Sequence, residues 1–277
     1  MYDFILQVTN IDKQFPGVHA LKDVSFSVLR GEVHGLIGEN GAGKSTLIKS
    51  ITGAYSYDSG SIIFIDETGT QFKIHNPSDA KAAGIAAAYQ DLLAAPELTV
   101  GENFFLGRIP KTSLGAVDWS YIYQYSSKIL REYGISVDPR KKMRQLTVSQ
   151  QMMVTIAKLS SEHAKLIIFD EPTALLPNQE VQTFYKILRK LRANGVSMIY
   201  VSHRLEEILE VCDRVTVLKD GAIVGTKETS SVTEGMLISM MVGRSMSDIY
   251  QINKGVPGAE VLRVEHLTRK NSFSDIS

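Results

Sequence analysis

Several short stretches of the chain have the apolar pattern of β-strands. Residues 24–28 alternate apolar and polar side chains, residues 4–8 form a strand-like run, and a turn at 58–60 leads into another run at 61–65. Alternation with period two is typical of strands that bury one face. We therefore predict strands in these three stretches.

Continuous apolar runs form a second pattern, in which strands alternate with helices. The runs at 34–37, 85–89, 166–169, 197–201 and 214–218 have the composition of strands buried on both faces. Helical periodicity at 181–193 and 205–211 separates the last three of them. The order predicts an α/β fold with a mostly parallel sheet.

The region of about 100–161 has a different pattern. Its apolar side chains recur at helical spacing, as in Ile122, Tyr125, Ile129, Leu130 and Tyr133. This spacing predicts a helical insertion, or helical subdomain, within the α/β unit.

Composition and charge narrow the class of protein. The chain has 277 residues, of which 44% are hydrophobic, so it can bury a sizeable core. Its formal net charge is zero, so nothing in the total charge argues for nucleic acid as a partner. A single cysteine, Cys212, excludes an internal disulfide, and no segment approaches the roughly 20 apolar residues that span a bilayer. We expect a cytoplasmic protein.

A glycine-rich turn follows the apolar run at 34–37 and precedes a helical pattern. Its nine residues are Gly38, Glu39, Asn40, Gly41, Ala42, Gly43, Lys44, Ser45 and Thr46. The glycines allow a tight turn whose N–H groups can approach phosphate oxygens at the start of a helix. We predict that Lys44 contacts the β- and γ-phosphates of a nucleotide triphosphate and that Ser45 ligates Mg²⁺.

Two adjacent carboxylates, Asp170 and Glu171, end the apolar run at 166–169. In an α/β sheet the carboxyl ends of parallel strands meet at one edge, where the phosphate loop also lies. We therefore predict that Asp170 contributes to the Mg²⁺ site and that Glu171 orients and deprotonates the attacking water.

The end of the chain repeats the pattern of its beginning. Residues 260–268 resemble residues 5–11, and residues 274–277 resemble residues 22–25. We interpret 1–243 as one nucleotide-binding domain, 244–258 as a linker, and 259–277 as the first strand or strands of a second, truncated copy.

These motifs together resemble the ATP-binding cassette (ABC) ATPases, a branch of the P-loop NTPases. The resemblance covers essentially the whole chain and is strongest to the N-terminal cassette of tandem ATPases that energise bacterial monosaccharide importers of the ribose, galactose and xylose type. It implies a RecA-like mixed-sheet core, an antiparallel β subdomain and a helical subdomain.

The resemblance also assigns roles to further residues. Phe15 would stack on the adenine ring, and Gln90 would contact Mg²⁺ and the attacking water while sensing a membrane partner. His203 would contact the γ-phosphate and, with Lys44 and Glu171, complete the catalytic set. The implied ligands are ATP and Mg²⁺.

Two motifs depart from the family pattern. The signature segment, close to LSGGQ in the family, is Leu146-Thr147-Val148-Ser149-Gln150 here. We expect Ser149 to matter most, because its Cβ replaces a glycine where backbone and phosphate should approach closely. The segment 174–177 ends at Pro177 and lacks the aspartate usual in the D-loop. The site to which this signature contributes is therefore expected to be slow or inactive.

The resemblance implies an ATPase subunit that energises sugar import and lies on the inner face of the cell membrane. Its partners would be a second cassette, membrane permease subunits and, indirectly, a solute-binding protein. Three alternatives stay open: a regulatory nucleotide-binding half with little hydrolysis of its own, an importer of another solute such as a nucleoside or a furanone signal, and an ABC protein of DNA repair or translation.

Overall fold

The computed structural model describes residues 4–88, 94–162, 164–174, 176–243, 260, 262–270 and 272–277. The chain divides into two units, Met1–Gly243 and Arg244–Ser277. None of the helices in these described ranges is long and apolar enough to cross a bilayer.

The first unit contains strands and helices in alternation. Its strands are β1 (Phe4–Phe15), β2 (Val18–Leu29), β3 (Val33–Ile37), β4 (Ser59–Ile65), β5 (Gln71–Lys73), β6 (Ile85–Ala88), β7 (Leu166–Asp170), β8 (Ser197–Val201), β9 (Arg214–Lys219) and β10 (Ala222–Glu228). Its helices are α1 (Lys44–Ile51), α2 (Pro77–Ala83), α3 (Val100–Phe104), α4 (Trp119–Glu132), α5 (Val148–Ser161), α6 (Asn178–Ala193), α7 (Leu205–Val211) and α8 (Glu234–Val242). Short 3₁₀ helices lie at Met143–Gln145 and Thr229–Ser231.

Two sheets organise this unit. The larger sheet has the order β10-β9-β3-β8-β7-β6, in which β9, β3, β8, β7 and β6 run parallel and β10 pairs antiparallel with β9. The smaller sheet is antiparallel and has the order β2-β1-β4-β5. The predicted α/β class, with a mostly parallel core and an antiparallel β region, is confirmed.

The parallel sheet is buried on both faces, as its continuous apolar strands predict. In β7, Leu166 and Ile168 belong to the cluster shared with the antiparallel sheet and α1, whereas Ile167 and Phe169 belong to the cluster shared with the helices. All four side chains are fully buried. Because both faces are covered, the loops at the carboxyl ends of the strands are left as the accessible edge.

The first hairpin is longer than the sequence pattern predicts. Strands β1 and β2 have twelve residues each, against the five predicted for each. Backbone pairing continues through polar residues as far as Gln14 with His19 and Phe15 with Val18. The extension places Phe15 at the tip of the hairpin.

Helices α3, α4 and α5 lie within the region where the sequence predicts a helical insertion. The Thr99 hydroxyl accepts from the N–H of Glu102, whose carboxylate accepts from the N–H of Thr99, so α3 begins with a capping box. Asp118 caps α4 by accepting from the N–H of Tyr121.

In the second unit the described residues form one hairpin. Strand β11 (Leu267–Arg269) pairs antiparallel with β12 (Phe273–Ile276). All residues of both strands are exposed.

Candidate nucleotide-binding site

The glycine-rich loop joins the carboxyl end of β3 to the first residue of α1, as predicted. Gly43 precedes the helix with a φ of 105°, and no side chain of the described residues caps the first turn. A Cβ on Gly43 would lie 2.6 Å from the carbonyl oxygen of Ala20, and a Cβ on Gly38 would lie 2.2 Å from that of Leu218. Gly43 is needed both for its left-handed backbone and for this close contact, whereas Gly38 is needed for the contact alone.

The side chain of Lys44 is folded back over this loop. Its ammonium group donates to the carbonyl oxygens of Gly38 at 2.7 Å and Glu39 at 3.1 Å. Burial lowers the pKa of Lys44 below its ordinary value, and the carboxylates of Glu171 and Asp170 oppose this shift. The ammonium group therefore contacts the loop carbonyls and interacts electrostatically with two acidic side chains.

A cavity of about 910 Å³ opens over the loop. The predicted site residues that line it are Phe15, Asn40, Gly41, Gly43, Lys44, Ser45, Thr46, Asp170 and Glu171. Three other predicted residues support the loop from outside the lining: Gly38 and Glu39 hold Lys44, and Ala42 is buried. The carbonyl oxygen of Ala42 accepts from the N–H of Gly221 at 3.1 Å, which fixes the loop against the turn after β9.

Phe15 forms one wall of this cavity. The ammonium group of Lys13 lies 5.3 Å from the centre of the Phe15 ring, and Tyr55 packs against the ring edge-on at 5.6 Å. Since Phe15 also lines the cavity, its ring offers a π surface of the kind on which a nucleotide base stacks.

The carboxylates at the end of β7 face the same cavity. Burial, and next the neighbouring charge of Glu171, raise the pKa of Asp170 above its ordinary value. A bound cation would offset both effects. Ser45 and Asp170 line the cavity together and supply the oxygen ligands that Mg²⁺ prefers.

No group of three or more His, Cys, Asp and Glu side chains among the described residues could hold a metal ion by itself. A magnesium ion in a nucleotide site takes one or two oxygens from the protein, and phosphate and water complete its shell. Ser45 and Asp170, which supply two such oxygens to one cavity, fit the predicted ion. Gln90, the third predicted ligand, lies outside the described residues.

His203 follows β8 and lies next to the carboxylate of Glu171. The distance from its Nδ1 atom to Oε1 of Glu171 is 3.3 Å. The His203 side chain is 56% exposed and that of Glu171 is 21% exposed. The two residues predicted to act on the γ-phosphate and the attacking water are thus in contact, with the histidine on the open side.

Some residues of the cavity were not predicted. They include His19, Lys22 and Asp220, which line it beside Phe15. The sequence analysis assigns a role only to Phe15 in this part of the chain. No local signal identifies His19, because its place beside Phe15 depends on how far β1 and β2 pair, and Asp220 comes into the site through the packing of β9 against the loop.

The signature segment begins α5. Thr147 caps the helix by accepting from the N–H of Gln150 at 3.2 Å. Ser149 is only 5% exposed and its hydroxyl lies 2.9 Å from that of Thr147. Val148 is 46% exposed. The side chain that projects from this helix start is therefore that of Val148, because Ser149 is turned into the protein.

The carboxylate of Glu207 is a feature that the sequence analysis missed. It is buried in α7 beneath the segments that contain Glu171 and His203. The sequence of a short helix does not distinguish a buried acidic residue that accepts hydrogen bonds from an acidic residue in solvent, so Glu207 could not be identified.

Comparison with known proteins gives a consistent result. The model of the ABC transporter family matches residues 21–174 of the chain. The Xylose import ATP-binding protein XylG of Geobacillus kaustophilus is 44% identical over 96% of the chain and 52% of its own length. The Ribose import ATP-binding protein RbsA 1 of Streptomyces avermitilis is 44% identical over 99% of the chain and 52% of its own length.

A third relative is the Galactose/methyl galactoside import ATP-binding protein MglA of Yersinia pestis, 42% identical over 99% of the chain and 54% of its own length. The chain thus spans about half the length of the curated relatives it matches. Among solved structures, the ADP conformation of MJ1267, an ATP-binding cassette of an ABC transporter, superimposes with a TM-score of 0.74. That structure is 27% identical in sequence to this chain, and the match covers 87% of this chain and 99% of that structure.

Proposed function

We propose that this chain, which belongs to the ABC transporter family, binds ATP and hydrolyses it to energise the import of a sugar. The observation that carries the proposal is one cavity lined by Lys44, Ser45, Asp170 and Glu171, with His203 in contact with Glu171. The solute class rests on the relatives named above, which are import proteins for xylose, ribose and galactose.

The residues divide the chemistry as follows. The loop N–H groups and Lys44 bind the β- and γ-phosphates, and Phe15 stacks on the adenine. Glu171 orients a water molecule towards the γ-phosphorus and accepts its proton, while His203 contacts the γ-phosphate on the open side. Ser45 and Asp170, and Gln90 as the family resemblance implies, would hold Mg²⁺, which would supply positive charge that offsets the charge of the phosphates.

We further propose that residues 259–277 begin a second cassette, after a linker at 244–258. The backbone N–H of Asn10 donates to Oγ of Ser25 at 2.8 Å, and that of His266 donates to Oγ of Ser277 at 3.0 Å. The two hairpins thus share the same bond at corresponding positions of their strands.

A second pair of contacts repeats in the two hairpins. The side chain of Asn10 donates to Oδ1 of Asp23, and Nδ1 of His266 lies 2.6 Å from Oδ1 of Asp275. All four residues have left-handed backbones, with φ of 49°, 51°, 51° and 53°. Left-handed residues other than glycine are uncommon, so their recurrence at matched positions supports a repeat. The separation of the paired residues falls from 13 to 9, so the second hairpin is four residues shorter.

The apolar side chains of the second hairpin lack the cover that their counterparts have. Ile11 faces Val24 across β1 and β2, and Leu267 faces Ile276 across β11 and β12. The first pair is fully buried, whereas Leu267 is 51% exposed and Ile276 is 49% exposed. The second hairpin thus repeats the facing apolar pair of the first, but here the pair is about half exposed.

In the proposed assembly the two cassettes close on ATP, with the nucleotide site described above completed by the signature of the second cassette. Permease subunits in the membrane would bind the ATPase, a solute-binding protein would deliver the sugar, and the chain would lie on the cytoplasmic face of the membrane. Because the partner signature completes the site, the isolated chain binds MgATP but hydrolyses it slowly.

The test is MgATP turnover by the chain alone and with the separately expressed second cassette. Lys44→Ala is the blank, and Lys49→Ala is the matched control on the same helix, since Lys49 packs on Tyr55 instead of lining the cavity. We expect strong stimulation by the second cassette, lost in Lys44→Ala and kept in Lys49→Ala.

A second candidate function is a regulatory nucleotide-binding half, which the exposed Val148 in the signature segment favours. Tight MgATP binding without turnover under either condition would support this function and contradict the first.

A further inference from the structure

Glu207 is a buried acidic residue at the centre of a hydrogen-bond network. It is 5% exposed and its carboxylate receives donors from two strand ends and from its own helix. The donors are the hydroxyls of Thr173 at 2.7 and 2.8 Å, Tyr200 at 2.8 Å and Ser202 at 3.0 Å, and the guanidinium group of Arg204 at 3.3 Å.

Both carboxylate oxygens of Glu207 accept hydrogen bonds in this network. Thr173 reaches both oxygens, Tyr200 and Ser202 donate to Oε2, and Arg204 donates to Oε1. A carboxylate accepts on both sides, whereas an amide would turn a donor towards one of these groups. Burial of an unpaired carboxylate is costly, so the four donors are what make the charge tolerable here.

The hydroxyl of Tyr200 remains a donor over the whole physiological range. Burial, and next the charge of Glu207, raise the pKa of Tyr200 well above its ordinary value. Tyr200 thus keeps the proton that it donates to Glu207, and this hydrogen bond joins Glu207 to the buried strand β8.

The segments that Glu207 joins contain the two residues of the proposed chemistry. Thr173 lies two positions after Glu171, and Ser202 immediately precedes His203. The hydroxyl of Ser202 also accepts from the N–H of Arg204 at 3.0 Å, which holds the turn around His203. Glu207 itself does not line the cavity, so it can act only through these segments.

We propose that Glu207 is a positioning residue that keeps Glu171 and His203 in contact by joining the segments that follow β7 and β8. The proposal rests on the ATPase function proposed above. It predicts that loss of the carboxylate separates the two segments while nucleotide binding at the phosphate loop persists, because Lys44 and its loop do not contact Glu207.

The experiment compares Glu207→Gln with Glu206→Gln, its exposed neighbour on the same helix. Turnover is measured over a range of MgATP concentrations with the second cassette present. We expect kcat to fall roughly tenfold to a hundredfold in Glu207→Gln, since a displacement on the order of 1 Å can cost about a hundredfold in rate. KM should stay within about twofold, and Glu206→Gln should behave as the parent chain.

Two further variants test the network by another route. Thr173→Val removes one donor and should also lower kcat. Thr173→Ser keeps the hydroxyl and should have the kcat of the parent chain. Rescue by serine distinguishes the hydrogen bond from the volume of the side chain, and it does not depend on whether Glu207→Gln folds well.

Hydrogen–deuterium exchange of the nucleotide-free chain provides a readout that needs no turnover. We expect faster exchange in Glu207→Gln at residues 171–174 and 202–204, with unchanged exchange in β1 and β2. Unchanged exchange at both segments, or a kcat equal to that of the parent chain, would overturn the proposal. A parent chain without turnover would contradict the ATPase function instead, and the exchange pattern would still decide the role of Glu207.

Discussion

The backbone N–H of Glu171 donates to the carbonyl oxygen of Val201 over 3.0 Å, so the residue that follows β7 is bound to the last residue of β8. Glu171 has a φ of 49°, a left-handed conformation that is uncommon outside glycine. Such backbone strain is concentrated at functional sites. The carboxylate of Glu171 lies beside His203, which is two residues beyond Val201.

Glu171→Gln should abolish turnover while ATP still binds, because the amide cannot accept the proton of the attacking water. General-base catalysis contributes about 10²–10⁴-fold, and we expect a loss in that range. Retained nucleotide after gel filtration in MgATP, together with phosphate release, measures both effects. Glu210→Gln, an exposed change on α7, is the control, and turnover above about a tenth of the parent rate in Glu171→Gln would exclude the base role.

Gly38→Ala should destabilise the chain through contact alone. The added Cβ would lie 2.2 Å from the carbonyl oxygen of Leu218, and Gly38 has no positive φ to complicate the result. Overpacking of this kind costs about 1–3 kcal/mol in unfolding free energy. Gly225→Ala is the matched control, since its Cβ would meet only Met240 at 3.4 Å. Urea denaturation of the two variants should separate them, and equal midpoints would contradict the contact.

Asp170→Asn should stabilise the nucleotide-free chain at neutral pH, by about 1 kcal/mol on the scale usual for removing strain at an active site. The folded-state pKa of Asp170 is raised by burial and by Glu171, so the folded chain binds this proton more tightly than the unfolded chain. Stability is therefore lost as pH rises through the window that begins near the ordinary value of 3.8.

The free energy of unfolding gained by Asp170→Asn should accordingly grow as pH rises from about 3.8 and then level off. Thermal unfolding over that pH range is the measurement. Asp58→Asn should have the opposite sign, because the hydrogen bond from Lys13 and then that from Gln14 lower the pKa of Asp58. A gain in Asp170→Asn that is largest in acid would show that the carboxyl is not destabilised by its site.

Phe15→Ala should weaken ATP binding through loss of base stacking. Base–aromatic stacking is worth about 1–3 kcal/mol by alanine substitution, or roughly 5-fold to 150-fold in Kd. Phe15→Tyr keeps the ring and should bind ATP as the parent does. Inorganic tripolyphosphate, which has no base, serves as the competing ligand in the binding assay, and a loss shared equally by ATP and tripolyphosphate would contradict stacking.

Val148→Gly should raise the turnover of the tandem protein more than Ser149→Gly does. Val148 is the exposed side chain at the start of α5, so its removal opens the surface where backbone and phosphate would approach. Ser149→Gly loses a buried hydrogen bond worth about 0.5–1.5 kcal/mol and places glycine in a helix, so it should lower stability without raising turnover. A larger gain in turnover from Ser149→Gly would instead support the role that the sequence analysis expects for Ser149.

The phosphate loop and the acidic end of β7 could be predicted because their signals are local. The spacing of Gly38, Gly41 and Gly43 before Lys44 specifies a turn and a helix start within nine residues. The continuous apolar run at 166–169 indicates a buried parallel strand, and the geometry of such sheets brings its end to the edge where the loop lies. In the structure, Lys44, Asp170 and Glu171 line one cavity.

The length of the first hairpin, the direction of Ser149 and the burial of Glu207 could not be predicted in the same way. Each depends on which side of an element faces a neighbour that is distant in sequence. Backbone pairing carried β1 on to Phe15 through polar residues, and packing against the rest of the unit turned Ser149 inward and left Val148 outside. An acidic residue such as Glu207 has no local pattern that separates a buried acceptor from a solvated charge.

The sequence by itself therefore determined the five parallel strands, their alternation with helices and the chemical groups of the nucleotide site, because glycine conformation, apolar periodicity and strand ends act over a few residues. Only the tertiary structure decided which groups touch: His203 with Glu171, Lys44 with the loop carbonyls, and Glu207 with the donors of two strands. Those contacts join residues up to tens of positions apart, and their geometry is set by packing of the sheet and its helices.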